Sequence, residues 1–395
     1  MSAPERRTIA FVNFTGIQPE GSWPATASSM AHALEQAGHE VIRIQPTGPE
    51  NPLLWKLIQG LYRIVGMRFQ GERQEAVVRQ LARSVHEALG DRVPDLILCS
   101  SSLPIPFMET KVPLTFWTDA TFKGMLGFYP EFSNMSKITV RNGMNFENMA
   151  LKKVDFAVYS SDWAARSAIE DHGADPERVH VIPFGPNLPE PPDRDMVLRH
   201  IQERKHDECR LLFIGYDWER KQGPLAVKVH KELLRRGIPS QLTIVGCDPP
   251  LGTGQKGIRV LGEIDKTVPS QYEKLQHELR NAHFLLVPSK AECYGMVYTE
   301  ASAYGIPSVG CDVGGVSTPI EDGRNGLLLS ANATPAQFAE RIHASWEDRV
   351  AYAAFANRAR MAYDERLNWR VAVDRLIALL DRHSPKRVQT RTQAG

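Results

Sequence analysis

Short, uninterrupted apolar runs recur along this chain, each bounded by turn residues and followed by a stretch with helical spacing. That rhythm restricts the possible folds more than any other feature. Ile9 to Phe14 is such a run, and a Gly- and Pro-containing loop from Gly16 to Pro24 follows it. Met30, Leu34 and Ala37 then fall near one face of a helix that Gly38 closes, and a second run, Val41 to Ile44, comes at once. Strand, loop, helix and strand at this length form the unit of a parallel sheet. Apolar content that is continuous rather than alternating marks strands covered on both faces. Leu96 to Cys99, Leu114 to Trp117, Phe156 to Tyr159 and Val179 to Ile182 all have it.

The rhythm breaks once. PFGPNLPEPPDRD, residues 183 to 195, holds five prolines in thirteen residues, a density that no helix or central strand accommodates. Beyond it the pattern restarts with Leu211 to Ile214, a helix near Leu225 to Leu234, then Leu242 to Val245, Phe284 to Val287 and Ser308 to Cys311. The expectation is an α/β protein of two Rossmann-like, doubly wound domains joined by a Pro-rich hinge and facing a central cleft. A length of 395 residues agrees with two or three domains at about 150 residues each. The expected divisions are a first domain over 1–190, a linker over 191–200, a second domain over 201–365, a helix over 366–384 and a polar tail over 385–395. Trp369, Val371, Val373, Leu376, Leu379 and Leu380 supply the apolar face of that helix. Ligands of open parallel sheets bind beyond the carboxyl ends of the strands, so the loops after each strand are where chemistry is sought.

Composition excludes several classes. Lys+Arg is 47 against 46 for Asp+Glu, a formal net charge of +1, which lacks the basic footprint of a dedicated nucleic-acid binder. The five cysteines, Cys99, Cys209, Cys247, Cys293 and Cys311, form no C-x-x-C pair, so neither a zinc ribbon nor a disulfide framework is indicated. The N-terminal residues lack the apolar run of a signal peptide, and no segment approaches the roughly 20 apolar residues of a membrane span. The expected compartment is the cytoplasm, with a peripheral position at the inner face of the membrane as a variant of it.

The densest signal is PSKAECYGMVYTEASAYGIPSVGCDVGGVSTPIEDGRNGLLL, from Pro288 to Leu329. A strand ends at Val287, and a helix is expected to open near Gly295 and close at Gly305. Backbone N–H groups at Gly295, Met296 and Val297 would then be free to hold an anion, and a diphosphate suits such a helix start. Glu300, about one turn inside, is placed to accept from vicinal ribose hydroxyls, and Glu292 from hydroxyls of a sugar. Two solvated surface glutamates are the plainer reading of that pair. A second signal is LLFIGYDWERKQG, Leu211 to Gly223, where Arg220 and Lys221 enter a helix. There they could neutralise a diphosphate or stand as solvated helix-start charges.

These strings resemble retaining glycosyltransferases of family 4, in the glycogen-synthase-like superfamily with the GT-B fold. The family signature runs Glu, a small residue, an aromatic, Gly, a short apolar run, Glu-Ala, Gly-x-Pro and Gly-Gly. This chain supplies Glu292, Cys293, Tyr294, Gly295, Glu300, Ala301, Gly305, Pro307, Gly314 and Gly315 in that order. Lys221, counted from Gly215, falls at the family lysine. Tyr216 stands where the family has arginine and Gln222 where it has glycine, with Arg220 a candidate for the missing cation. The resemblance implies that a sugar moves from a nucleotide diphosphate sugar, of UDP or GDP type, to a hydroxyl acceptor (a sugar, glycolipid or small molecule) with anomeric configuration retained. It implies no cofactor and no bound metal. Glu292, Lys221 and Asp119 would take the catalytic roles; Gly215, Arg220, Lys221, Tyr294, Gly295, Met296, Val297 and Glu300 would hold the donor. It also implies that the C-terminal helix crosses back onto the first domain. In the first domain, Gly16 and Gly21 occupy the loop after the first strand, where the family often carries a Gly-rich turn near the donor. Asp119, which follows a buried strand where many relatives carry His, either orients the reacting sugar or acceptor, or caps a helix beginning near Thr121.

Alternatives of other kinds stay open at this level. One is an inert sugar-nucleotide-binding protein acting through partners, another a GT-B epimerase. A dehydrogenase is disfavoured because neither half has a G-x-G-x-x-G after its first strand. Finally, Leu53, Leu54, Leu57, Ile58, Leu61, Ile64 and Val65 share one helical stripe flanked by Lys56, Arg63 and Arg68. A core-facing helix is the favoured reading, and a membrane-surface contact is the other.

Overall fold

The computed structural model describes residues 6–14, 23–48, 51–251 and 255–383. Within them the chain forms two compact units. The first comprises the chain up to Tyr159, Ala165–Ile182 and the residues from Ala372 on; the second comprises Ser160–Ala164 and Pro183–Val371.

The first unit holds a sheet of six parallel strands: β1 (Thr8–Val12), β2 (Glu40–Ile44), β3 (Leu96–Cys99), β4 (Leu114–Thr118), β5 (Phe156–Tyr159) and β6 (Val179–Val181), in the order β2-β1-β3-β4-β5-β6. Between them run α1 (Trp23–Gln36), α2 (Pro52–Ile64), α3 (Glu75–Leu89), the single turn α4 (Phe122–Met125), α5 (Lys137–Lys153) and α6 (Asp162–Glu170). β3, β4 and β5 are buried at every position, as continuous apolar runs require when helices cover both faces.

The second unit repeats the design. It begins with α7 (Arg194–Glu203), and its strands are β7 (Cys209–Ile214), β8 (Ser240–Val245), β9 (Ile258–Gly262), β10 (Phe284–Leu286), β11 (Ser308–Cys311) and β12 (Gly326–Leu329). They pair in parallel in the order β12-β11-β10-β7-β8-β9. Around them lie α8 (Gly223–Arg235), α9 (Pro269–Asn281), α10 (Met296–Ala303), α11 (Pro335–Trp346) and α12 (Arg349–Arg366). The last helix, α13 (Trp369–His383), starts in this unit and continues into the first, where Asp381 accepts from Arg7 at 2.9 Å and His383 meets His180 at 2.8 Å. Leu211, Leu212, Phe213, Leu285 and Leu286 fill the middle of this sheet with essentially no exposure, each worth about 1.5–3 kcal/mol of burial.

In the second unit, β7 and β10 are neighbours although the chain leaves them in opposite directions, β7 toward β8 and β10 toward β11. This is the topological switch point, where the loops leaving the two carboxyl ends diverge and open a crevice.

Three expectations need correction. The span 191–200 is not all linker, because α7 begins at Arg194. The prolines end at Pro192, Asp193 accepts from the N–H groups of Asp195 and Met196, and Val197 and Ile201 bury the helix face. The first unit accordingly gives way at Ile182 rather than 190, and Ser160–Ala164 sort with the second. The stripe on α2 is not core: Leu53, Leu54, Leu57, Leu61, Ile64 and Val65 are exposed. The helix instead rests on Trp55 and Tyr62, both stacked on Phe69. Third, Asp119 is not a helix cap. Thr121 caps α4 by accepting from Gly124 at 3.0 Å, and Asp119 lies half-buried on the bend after β4. Ser161 stands before α6, its Oγ accepting from Ala164 N–H at 3.3 Å. Gly16, Gly21 and the tail 385–395 lie outside the described residues. Among the described residues no helix is long and apolar enough to cross a membrane.

His283, at the start of β10, shows how tightly the second unit excludes water. Its Nδ1 accepts from the Arg210 N–H at 3.0 Å, so the ring is neutral, and it packs against Trp346 and Tyr352. Burial, reinforced by Arg204 and Arg210, pushes its pKa down from 6.5 to about 2. The unfolded chain takes up that proton near pH 6.5 and the folded chain does not. His283 therefore supports the fold fully above pH 6.5 and progressively less as pH falls from 6.5 toward about 2. Nitrogen-15 NMR of the imidazole should show it neutral at about pH 5; a titration midpoint near 6.5 would show that the site is wet.

Candidate active site

The loop after β7 folds back on itself so that Lys221 lies against the strand end. Gly215 permits this, since a Cβ there would stand 2.9 Å from Lys221 Cγ. Gln222 then adopts a left-handed conformation (φ 55°) and opens α8. The loop after β10 comes alongside: the Lys290 N–H donates to the Arg220 carbonyl at 2.8 Å, and Arg220 Nη1 donates to the Ala291 carbonyl at 2.9 Å. These contacts place Glu292 between two cations. Its Oε2 pairs with Lys221 Nζ, lies 3.4 Å from Arg220 Nη1, and accepts from Ser289 Oγ at 3.4 Å. Asp217 holds Arg220 from the other side, 3.4 Å from Nε.

Lys221 and Glu292 are both buried. Burial pushes the Glu292 carboxyl up, but Lys221 first and Arg220 second outweigh it and hold it below the usual carboxylate range. Breaking such a buried pair by removing one partner strands the other charge. Arg220 is there to limit the damage for Glu292.

The backbone then turns at Gly295, with φ +88°, and α10 begins at Met296. Only glycine fits, because a Cβ would sit 2.3 Å from the Tyr298 ring as well as in strained φ. The N–H groups of Gly295, Met296 and Val297 have no hydrogen-bond partner among the described residues. They are the unpaired donors of a helix start, where the macrodipole favours an anion. The Gly314-Gly315 pair serves the same loop. Gly315 N–H donates to the Glu292 carbonyl at 3.0 Å, and a Cβ on Gly315 would meet the Cys293 carbonyl at 2.0 Å.

Glu300 is buried one turn into α10. Its Oε1 accepts from Lys266 Nζ at 2.6 Å, and that ammonium also donates to the Asn187 carbonyl at 3.0 Å. Its other oxygen, Oε2, is buried with no hydrogen-bond partner among the described residues. A buried acceptor left unpaired costs about 1–3 kcal/mol, so Oε2 is a place where a ligand hydroxyl would be gained.

The structure thus gathers Gly215, Arg220, Lys221, Glu292, Gly295, Met296, Val297 and Glu300 around the switch point of one unit. Tyr294 belongs there by its backbone only. Its ring is buried against Phe184 and its hydroxyl donates to the Phe184 carbonyl at 2.8 Å, so the side chain anchors the loop rather than meeting a ligand. Tyr216, in the family arginine position, is exposed. Lys266, Asp217 and Ser289 were not singled out from sequence. Lys266 lies on the loop between β9 and α9, and nothing in its local pattern shows that it reaches Glu300. Among the described residues no group of three or more His, Cys, Asp or Glu gathers in a metal-binding arrangement.

Comparison with known families decides what this assembly belongs to. The family model for Glycosyltransferase Family 4 matches residues 25–188, and that for Glycosyl transferases group 1 matches residues 208–348. The chain belongs to glycosyltransferase family 4. It is a glycosyltransferase with two six-stranded parallel sheets of the GT-B kind. It is 27% identical over 389 residues to D-inositol 3-phosphate glycosyltransferase 1 of Catenulispora acidiphila, covering 92% of this chain and 86% of that protein. Further relatives of the same name are matched over about half of their own length. Among solved structures, a sucrose-phosphate synthase of Thermosynechococcus elongatus superposes with a TM-score of 0.68 at 18% identity, over 95% of this chain and 99% of that one. HepE of Anabaena in complex with UDP superposes with a TM-score of 0.61 at 17% identity, over 95% and 100%. At such identities the structures speak for the fold. Two glycines of the family signature now have a physical reading, since Gly295 and Gly315 have no room for a side chain.

Gly295→Ala would put a Cβ into the Tyr298 ring at positive φ, and is expected to lower stability by about 2 kcal/mol or more. Urea denaturation followed through the second unit measures it. A change below about 0.5 kcal/mol, the size of an ordinary surface substitution, would mean that this turn is not as constrained as its geometry says.

Proposed function

We propose that this glycosyltransferase draws on a nucleoside diphosphate sugar held at the switch point of the second unit, and that it transfers the sugar with retention of anomeric configuration. The single observation that carries the reading is the pairing, on α10, of three unsatisfied N–H groups at one end with the unpaired Oε2 of Glu300 one turn later. Four residues of helix rise about 6 Å, comparable with the reach from the vicinal hydroxyls of a ribose to its 5′ phosphates. Donors at one end and an acceptor at the other match a diphosphate followed by a ribose.

In this reading Lys221 and the start of α10 stabilise the charge that develops on the departing diphosphate, where preorganised cations and dipoles act most strongly. Arg220 adds a second cation in place of the family arginine, which Tyr216 does not supply. Glu292 keeps both cations in position and offers its remaining acceptor capacity to a hydroxyl of the sugar. For retention, the leaving phosphate oxygen accepts the acceptor's hydroxyl proton while the new C–O bond forms on the face from which the old one leaves. No dedicated general base is required. Charge stabilisation by Lys221, Arg220 and helix dipole is the work a metal ion does in other transferases, and we assign it to them here.

A UDP-sugar is the first donor to consider, because HepE is described in complex with UDP and with UDP-glucose. The acceptor is a hydroxyl compound, and the relatives' name makes an inositol phosphate the first one to try.

The test incubates the protein with UDP- and GDP-sugars singly, with and without inositol phosphate, and detects free nucleoside diphosphate by mass spectrometry. Release from one donor is expected, with anomeric coupling in the product matching the donor. Glu300→Ala should reduce release by about 100-fold or more. Absence of release from every donor, together with no UDP or GDP binding by calorimetry, would refute the donor site.

A further inference from the structure

The exposed stripe of α2 plays no part in the site described above, and the geometry points to a partner for it: the surface of a bilayer containing anionic lipid. Leu53 is 80% exposed, Leu57 63%, Leu61 57%, Ile64 81% and Val65 65%, with Leu54 at 50%. Placed at 100° per residue, these six side chains occupy a continuous arc of about 120° on the helix. Together they present an apolar patch on the order of several hundred Å², at the upper limit of what a monomer leaves uncovered. The arc is not the edge of the core turned outward. The helix has a separate inward face, where Trp55 and Tyr62 stack on Phe69 with ring centroids 6.2 and 5.0 Å apart and Trp55 packs on Gly71.

Charge selects the occupant. From Asn51 to Gly71 there is no acidic residue, while Lys56, Arg63 and Arg68 are all present and exposed. Lys56 and Arg63 lie on the flank of the helix between the inward face and the apolar arc. Long basic side chains there extend toward lipid phosphates while their methylenes stay against apolar surface. An apolar arc with a basic, acid-free flank is the arrangement of a helix lying in the interface plane of an anionic membrane. The alternative of a second copy is disfavoured by the same charges, since pairing α2 with its twofold mate would bring Lys56 and Arg63 toward their own kind. The stripe is also convex and carries no polar anchor inside it of the kind that gives protein interfaces their specificity.

This inference stands independently of the donor-site reading. It is tested by flotation of the full chain with vesicles of phosphatidylcholine alone and of phosphatidylcholine with about 30 mol% phosphatidylglycerol. Wild-type protein should float with the anionic vesicles and bind the neutral ones at least about tenfold more weakly. The combined variant Leu57→Gln, Leu61→Gln and Ile64→Gln should lose about tenfold or more of the anionic binding. Because those side chains are already in water, its melting temperature and its release of nucleoside diphosphate from a water-soluble donor should match wild type. Lys56→Glu with Arg63→Glu should erase the preference for phosphatidylglycerol. Failure of the wild type to float with anionic vesicles, or equal flotation by the apolar variant, would overturn the proposal. Wild-type dimerisation that the apolar variant abolishes, without vesicle binding, would assign the face to a second copy instead.

Discussion

The buried contact between Lys221 and Glu292 is the interaction on which the arrangement of the second unit's site depends. Each residue ends a loop that leaves a central strand, one after β7 and one after β10, and those strands diverge at the switch point. Without an opposite charge between them, an ammonium and a carboxylate excluded from water would each be destabilising. Together, with Arg220 as a third member, they fasten the two loops and leave a cationic side toward the crevice. The same loop then turns at Gly295, exposes three N–H groups, and carries Glu300 inward. One ion pair therefore sets the positions of the cations, the helix start and the unpaired carboxylate oxygen.

Backbone conformations and close approaches that few residues tolerate recur in this small region. Gln222 and Gly295 both adopt positive φ, glycine at 215, 295 and 315 is enforced by close approach, and Glu300 keeps one oxygen unpaired. Departures from local preference of this kind are expected where structure serves binding rather than stability. Elsewhere in the unit buried charge is resolved in favour of the fold. Arg204, equally buried, spends its donors on Tyr304, Gly305 and Tyr352, and His283 is kept neutral by its surroundings.

Much of this was legible in the residues. The central strands show as continuous apolar runs because both faces are covered. β9 does not, since Arg259 and Val260 are exposed at the sheet's edge, and β12 hides inside the motif string. Glu292, Lys221 and Glu300 could be named because the strings that hold them resemble the family 4 signature, their spacing alone being weak. Lys266 could not, because its link to Glu300 spans 34 residues and exists only after folding. Tyr294 illustrates the converse: a motif position reads as ligand contact until its hydroxyl is found on a core carbonyl. The stripe on α2 marks the limit of periodicity, which identifies an apolar face but not what covers it.

The most direct measurement is a crystal structure of the protein with a nucleoside diphosphate bound. The account predicts phosphate oxygens within about 3 Å of the N–H groups of Met296 or Val297 and of Lys221 Nζ, with a ribose hydroxyl donating to Glu300 Oε2. A nucleotide seated elsewhere, with the Lys221–Glu292 pair and Glu300 untouched, would contradict it.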